Sequence, residues 1–202
     1  MTMPKKKLVL WMVLVLAVAA AVVQAVVMIR HGFSARDTPS RLEAFMARRV
    51  RIMAIPAEAR NLKNPVARSP EVMRDAMQHF ADHCATCHAN NGSGSTEIGK
   101  NLYPKAPDMR ASETQNLSDG ELYYIIENGI RLSGMPAWGE PGGDGSDTWK
   151  LVHLIRHLPK LTPEEEKQME QWNPKSQAER SEESEEEEFL RGQEKPAKHN
   201  HH

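Results

Sequence analysis

The pattern of apolar and polar positions divides the chain into four stretches. The first is an apolar run from Leu8 to Ile29, interrupted only by Gln24 as a strongly polar residue and preceded by Lys5, Lys6 and Lys7. At about 1.5 Å per helical residue, it can cross a hydrocarbon layer roughly 30 Å thick. A cleaved signal peptide is the competing reading, with an apolar core usually of about 7–15 residues ending at a small-residue site. "AVA" at 17–19 would serve as that site, but the apolar run continues well beyond it. That length favours an uncleaved anchor over residues 1–30.

The second stretch, residues 31–69, predicts a connector with one helix. Leu42, Phe45, Met46 and Met53 mark one face, and Arg48, Arg49 and Arg51 surround it. Thr38 suits a cap and Pro39 the first helical position. The pattern fits a helix packed on a domain and fits equally a basic amphipathic helix on an anionic membrane surface. Pro56, Pro65 and Pro70 then break the chain.

The third stretch, residues 70–162, carries orderly helical signals. Ser69 caps, Pro70 starts a helix, and Val72, Met73, Ala76, Met77 and Phe80 recur at helical spacing. A loop rich in Gly, Ser, Asn and Pro runs from Ala89 to about Ser112. In "LSDGELYYIIENGI", Ser118 and Glu121 form a capping box, Leu117 and Leu122 a hydrophobic staple, and Gly129 a stop. "DTWKLVHLIRHLP" places Trp149, Val152, Ile155 and Leu158 on one inward face. No segment alternates with period two, so the fold class is all-α, with three to five short helices and long loops.

The fourth stretch, residues 163–202, begins with a short helix capped by Thr162 and Glu165 around Pro163 and continues into "SEESEEEEFLRGQEKPAKHNHH". Like charges repel there and little can be buried, which predicts a disordered tail. It reads as a solubilising tail, or alternatively as an acidic docking lure for a basic partner. The terminal "HNHH" is given no function. The formal net charge of −1 conceals this acidic end and the basic segment after the anchor, so it excludes no class of partner.

Chemistry enters through "FADHCATCHANNGSG". Cys84 and Cys87 are the only cysteines, and His88 follows at once. C-x-x-C-H is the attachment signature of c-type haem. Two thiols three positions apart at a helix end reach the two vinyl groups of one porphyrin, and the adjacent imidazole ligates the iron. A redox dithiol would want a preceding strand and a parallel sheet. A zinc site could use Cys84, Cys87, His88 and either His83 or His79, but would want a second ligand pair from elsewhere. A core of about 95 residues with this much loop is thin, and a large, flat, apolar cofactor would fill it. Met135, between Gly134 and Pro136 in "SGMPAWG", is the candidate second axial ligand. Met109, in "APDMR", competes with it, while Met73 and Met77 fit a helix face. His/Met ligation raises the potential and closes the iron to substrates, which points to electron transfer.

"FADHCATCHANNGSG", "GELYYIIENGIRLSGMPAWG" and "DTWKLVHLIRHLP" together resemble class I cytochrome c, in a membrane-anchored, monohaem bacterial form, over roughly residues 70–160. The resemblance implies a cytochrome c-like fold around one covalent haem c. It also implies thioethers at Cys84 and Cys87, His88 as proximal and Met135 as distal iron ligand, and packing of the first domain helix across the last. "LYPKAP" resembles the loop beneath the proximal ligand, where a proline carbonyl accepts from the histidine Nδ1; Pro104 is the candidate. Arg131 and Trp138 are candidates for the propionates, and equally a surface arginine and a core tryptophan.

The resemblance further implies haem attachment outside the cytoplasmic membrane, hence a single-pass protein with its haem domain in the periplasm. Charge alone leaves that orientation open, because Lys5–Lys7 and the arginines from Arg30 to Arg51 pull in opposite directions. The expected function is one-electron transport to or from redox proteins or a respiratory complex, not enzymatic catalysis and not nucleic-acid binding. The alternatives are a haem c subunit feeding a membrane dehydrogenase or terminal oxidase complex, and a five-coordinate haem sensor or peroxidase.

Overall fold

A computed structural model describes residues 4–32, 34–175 and 177–190. Helix α1 (Lys5–His31) is followed by α2 (Arg41–Ala54), α3 (Ala57–Arg60) and α4 (Pro70–His79). A single π-helical turn, Phe80–Cys84, leads into α5 (Ala85–His88). The one-turn helices α6 (Glu97–Lys100) and α7 (Ser112–Gln115) punctuate the following loop. Then come α8 (Asp119–Asn128), α9 (Ser146–His157) with a 3₁₀ turn at Leu158–Lys160, α10 (Pro163–Glu170) and α11 (Gln177–Leu190). The described residues contain no strand, and the chain is all-α.

Helix α1 spans about 40 Å at 1.5 Å per residue, and its apolar side chains are exposed along its length. No packing within the chain accounts for that surface. Residues Lys6–Arg30 are long and apolar enough to cross a membrane, which fits a single-pass anchor.

The core is built where α4 lies across α9, with α8 against the same helix. Ala76, Met77 and Phe80 from the first helix meet Trp149, Leu151, Val152, Leu154, Ile155 and Leu158 from the last. Helix α8 adds Leu122 and Ile126. Its capping box is complete, because the Ser118 hydroxyl accepts from Glu121 N–H and the Glu121 carboxylate accepts from Ser118 N–H. Tyr123 stacks on Trp149 with ring centroids 4.2 Å apart.

Arg156 joins these helices. Its guanidinium donates to Asp119 Oδ1 (2.9 Å), to the carbonyl of Gln115 (2.7 Å) and to the carbonyl of Leu117. It therefore satisfies the backbone at the entrance to α8 from the far end of α9. Arg156→Met keeps most of the apolar stem and strands those acceptors. A hydrogen bond to a charged group contributes about 1.5–3 kcal/mol net, and both Arg156 and Asp119 are partly exposed, so a loss of about 2 kcal/mol is expected, read as a lower denaturant midpoint.

Beyond Ala54 the connector packs on the domain. Ile55 and Ala59 are buried, Asn64 donates to the carbonyl of Trp149 (2.9 Å), and His153 lies 2.8 Å from the carbonyl of Val66. The α2 cap is Ser40, whose hydroxyl accepts from Glu43 N–H, not Thr38; the cap belongs one residue before the first helical turn, which begins at Arg41. The glutamate-rich segment, expected to be a disordered tail, forms a helix over Gln177–Leu190; glutamate is a good helix former. The rest of the tail, "HNHH" included, lies outside the described residues. Past the 3₁₀ turn, α10 still contributes: Met169 is fully buried and Trp172 packs on the core.

Candidate functional site

The site begins where α4 changes character. The π turn Phe80–Cys84 widens the helix by one residue per turn, and Ala85 N–H reaches back to the carbonyl of Phe80. Single π turns of this kind often occur at functional sites. Here it lets Phe80 and Ala81 stay in the core while Cys84 begins a new register. Helix α5 then ends on His88, and Ala89 leaves it at φ 59°. Cys84 and Cys87 are half-buried free thiols, and His88 is buried.

The chain then folds back under the motif. Gly94 N–H donates to the carbonyl of His88 (2.8 Å), and the Thr96 hydroxyl donates to the carbonyl of Cys87 (3.2 Å). A Cβ on Gly99 would lie 2.2 Å from the Cys87 carbonyl oxygen, so only glycine lets α6 approach this closely. Met109 N–H closes the loop on the carbonyl of Gly92 (2.8 Å).

The proline expected beneath His88 is corrected. Pro104 is exposed and follows a cis peptide bond with Tyr103. The backbone that acts on His88 is that of Pro107, at the other end of the same "LYPKAP" segment. Burial lowers the His88 pKa to about 4, and the Pro107 backbone opposes this. Nδ1 is buried and makes no hydrogen bond of good geometry, so the Pro107 contact is a loose one. The imidazole is thus neutral at physiological pH, the form that binds a metal.

Met135 stands on a separate loop that α8 clamps. The Ile130 N–H donates to the Met135 carbonyl (3.1 Å), and the Ser133 hydroxyl donates to the carbonyl of Ile130 (2.7 Å). Beyond it, Trp138 N–H donates to Ile126 O (3.0 Å) and Gly139 N–H to Glu127 O (3.1 Å). Gly129 makes the clamp possible: φ is 64°, and a Cβ there would meet Pro136 C at 2.5 Å. The Met135 side chain is half-buried against the core. Met109 is buried within that core, and its carbonyl accepts from the Gln115 amide. Its loop is the one that carries Pro107 under His88.

Arg131 is exposed in the Met135 loop. Trp138 is 38% exposed, so it is not the core tryptophan of the alternative reading. Its ring lies 5.5 Å from that of His83, which in turn meets His79 edge-on at 5.0 Å. This ring series joins the Met135 loop to the cysteine-bearing helix, a contact that periodicity alone does not reveal. Burial first, and then His83, lowers the pKa of His79.

The rival chemistries fare poorly against this geometry. A dithiol nucleophile needs a depressed thiol pKa. Burial, with Cys87 adding to it, pushes the Cys84 thiol up to about 12, and no strand precedes it. Among the described residues no three His, Cys, Asp or Glu side chains converge as a metal site would require, which disfavours the zinc reading. Two free thiols beside a buried neutral imidazole fit haem attachment. The family model "Cytochrome C oxidase, cbb3-type, subunit III" matches residues 71–155. Residues 71–155 thus carry a c-type cytochrome domain. Such a domain holds a covalent c-type haem and serves haem-based electron transfer. No curated protein matches the chain.

Proposed function

We propose that the cytochrome is a membrane-anchored one-electron carrier with its haem domain in the periplasm. In this reading Cys84 and Cys87 form the thioethers, His88 is the proximal ligand and Met135 the distal one. One observation carries it: a buried, neutral imidazole ends a helix beside two free thiols, while a second loop, clamped to α8, holds a methionine sulfur against the same core. When bound, the haem supplies a one-electron couple, and His/Met ligation sets it high and leaves no position for substrate. The protein's residues do the rest. Pro107 sits at the back of His88, the α8 clamp limits the motion of Met135, and the α4–α9 core keeps water away. Arg131 and Trp138, in the same loop as Met135, are the candidates for the propionates.

The periplasmic address rests on the family's habit of attaching haem outside the cytoplasmic membrane. It puts Lys5–Lys7 inside and the arginine-rich segment outside. Residues 1–30 are then the anchor, and residues from about Ile55 to Trp172 form the haem-bearing unit.

A haem-stained denaturing gel and a pyridine haemochrome spectrum of membranes test the reading. Covalent haem at the mass of this chain is expected, with a reduced spectrum typical of two saturated vinyl groups. A chain that runs without haem removes the proposal. The family description, an oxidase subunit, favours a second reading in which the chain is the haem c subunit of a respiratory complex. Solubilisation in mild detergent separates the two: a carrier migrates alone, whereas a subunit copurifies with a stoichiometric set of larger chains.

A further inference from the structure

Helix α2 has two faces with different partners. At about 100° per residue, Glu43, Ala44, Ala47, Arg48 and Arg51 share one side. That side is held to the haem domain. Arg48 pairs with Glu113 at 2.9 Å, the Tyr103 hydroxyl donates to the Glu43 carboxylate, and Arg60 donates to the carbonyl of Ile52 at 2.7 Å. Leu42, Phe45, Met46, Val50 and Met53 form a stripe on the opposite side. They are 71, 52, 52, 60 and 77% exposed, and α2 has no buried residue. A stripe of five large apolar side chains pointing away from its own domain is not explained by folding.

We infer that α2 lies along the bilayer surface, with this stripe in the acyl boundary and Arg41 and Arg49 among anionic phospholipid headgroups. Three observations select lipid. First, α1 ends at His31 and α2 starts at Arg41, so the link between them reaches at most about 36 Å even fully extended. Once α1 spans the membrane, α2 cannot leave its vicinity. Second, Arg41 and Arg49 lie beside the stripe, away from Glu43, and carry the charge sign that anionic headgroups attract. Third, Arg49 lies over the Phe45 ring at 5.3 Å. It flanks the apolar stripe, where a long side chain can keep its stem in apolar surroundings and its charge at the interface. Because the other face of α2 is fixed to Tyr103 and Glu113, a surface-bound α2 also sets which side of the haem domain faces the membrane.

This inference rests on α1 being a membrane anchor, and the experiment separates the two. The full chain carries a photoreactive benzophenone residue in place of Met46 or Met53, and in place of the half-buried Ala44 as the domain-facing control. It is reconstituted with haem in nanodiscs of phosphatidylethanolamine and phosphatidylglycerol and irradiated. Lipid adducts at 46 and 53, and their loss at 44, are the expected result. Adducts to a second copy, to another protein retained from the membrane, or to no lipid overturn the surface helix. Parallel alkaline carbonate extraction of the source membranes tests the anchor: release of the chain overturns the anchor and this proposal together, whereas retention without lipid adducts overturns the proposal alone. As a second variant, Phe45→Glu with Met53→Glu alters only exposed positions. It is expected to leave the haem spectrum unchanged while α2 amides lose their lipid-dependent protection from hydrogen exchange. Unchanged protection counts against the proposal.

Discussion

Met135→Ala is expected to remove the far-red absorption that ferric haem gives when a thioether sulfur is bound, and to lower the reduction potential by on the order of a few hundred millivolts, within the roughly 0.8 V range that axial ligands command. The reason is the preference of thioether sulfur for ferrous iron. Its loss favours the ferric state and vacates a coordination position. The variant is therefore expected to bind cyanide in the ferric state and carbon monoxide in the ferrous state much faster than the parent. The fold should survive, because Met135 is only half-buried and its loop is clamped through backbone groups from Ile126 to Gly139. Met109→Leu is the matched control. It preserves volume within the core and should cost less than about 1.5 kcal/mol with no spectral change. If Met109→Leu loses the absorption and Met135→Ala keeps it, the distal assignment reverses. If neither does, the five-coordinate sensor or peroxidase becomes the better reading.

The contrast between these methionines shows what the sequence makes legible. Helices α4, α8 and α9 follow from caps and apolar spacing, because each is a local consequence of a few side chains. Cys84, Cys87 and His88 stand out in the sequence because they carry the spacing of the haem-attachment signature. The loop beneath His88 is different. "LYPKAP" contains two prolines, and which one reaches the imidazole depends on the path set by Gly94, Thr96 and Gly99 against the carbonyls of Cys87 and His88. These are backbone contacts between remote segments, and no residue pattern encodes them. The π turn is hidden for a related reason. Apolar spacing runs smoothly through Phe80, yet the ladder slips by one residue before Cys84. The connector misleads in the opposite direction. Its prolines suggest a break, but Asn64 and Val66 are hydrogen-bonded to α9, and the partners lie more than eighty residues away in sequence. The glutamate tail shows the limit of charge arguments. Repulsion between glutamates four apart weakens a helix by only a few tenths of a kcal/mol per pair, which the good helix propensity of glutamate can offset.

Phe80→Ala is expected to destabilise the haem domain by about 3–5 kcal/mol, the range for removing a buried phenylalanine. Phe80 is 1% exposed and belongs to the cluster between α4 and α9. Its neighbours Val152 and Leu154 in that cluster are fully buried, so the surrounding helices have little freedom to collapse into the space. Domains of this kind are stable by about 5–15 kcal/mol, and the substitution removes from about a fifth to all of that. The position also starts the π turn that delivers Cys84. A loosened turn leaves the thiols less well placed, so a lower yield of chain with covalent haem is expected alongside the lower denaturant midpoint. Phe80→Leu separates the two effects. It retains an apolar side chain at the turn, should cost about half as much or less, and should restore the yield before it restores the midpoint fully. A midpoint that moves by less than about 1 kcal/mol in Phe80→Ala would mean that the α4–α9 contact does not carry the domain, and that the covalent cofactor supplies the missing core instead.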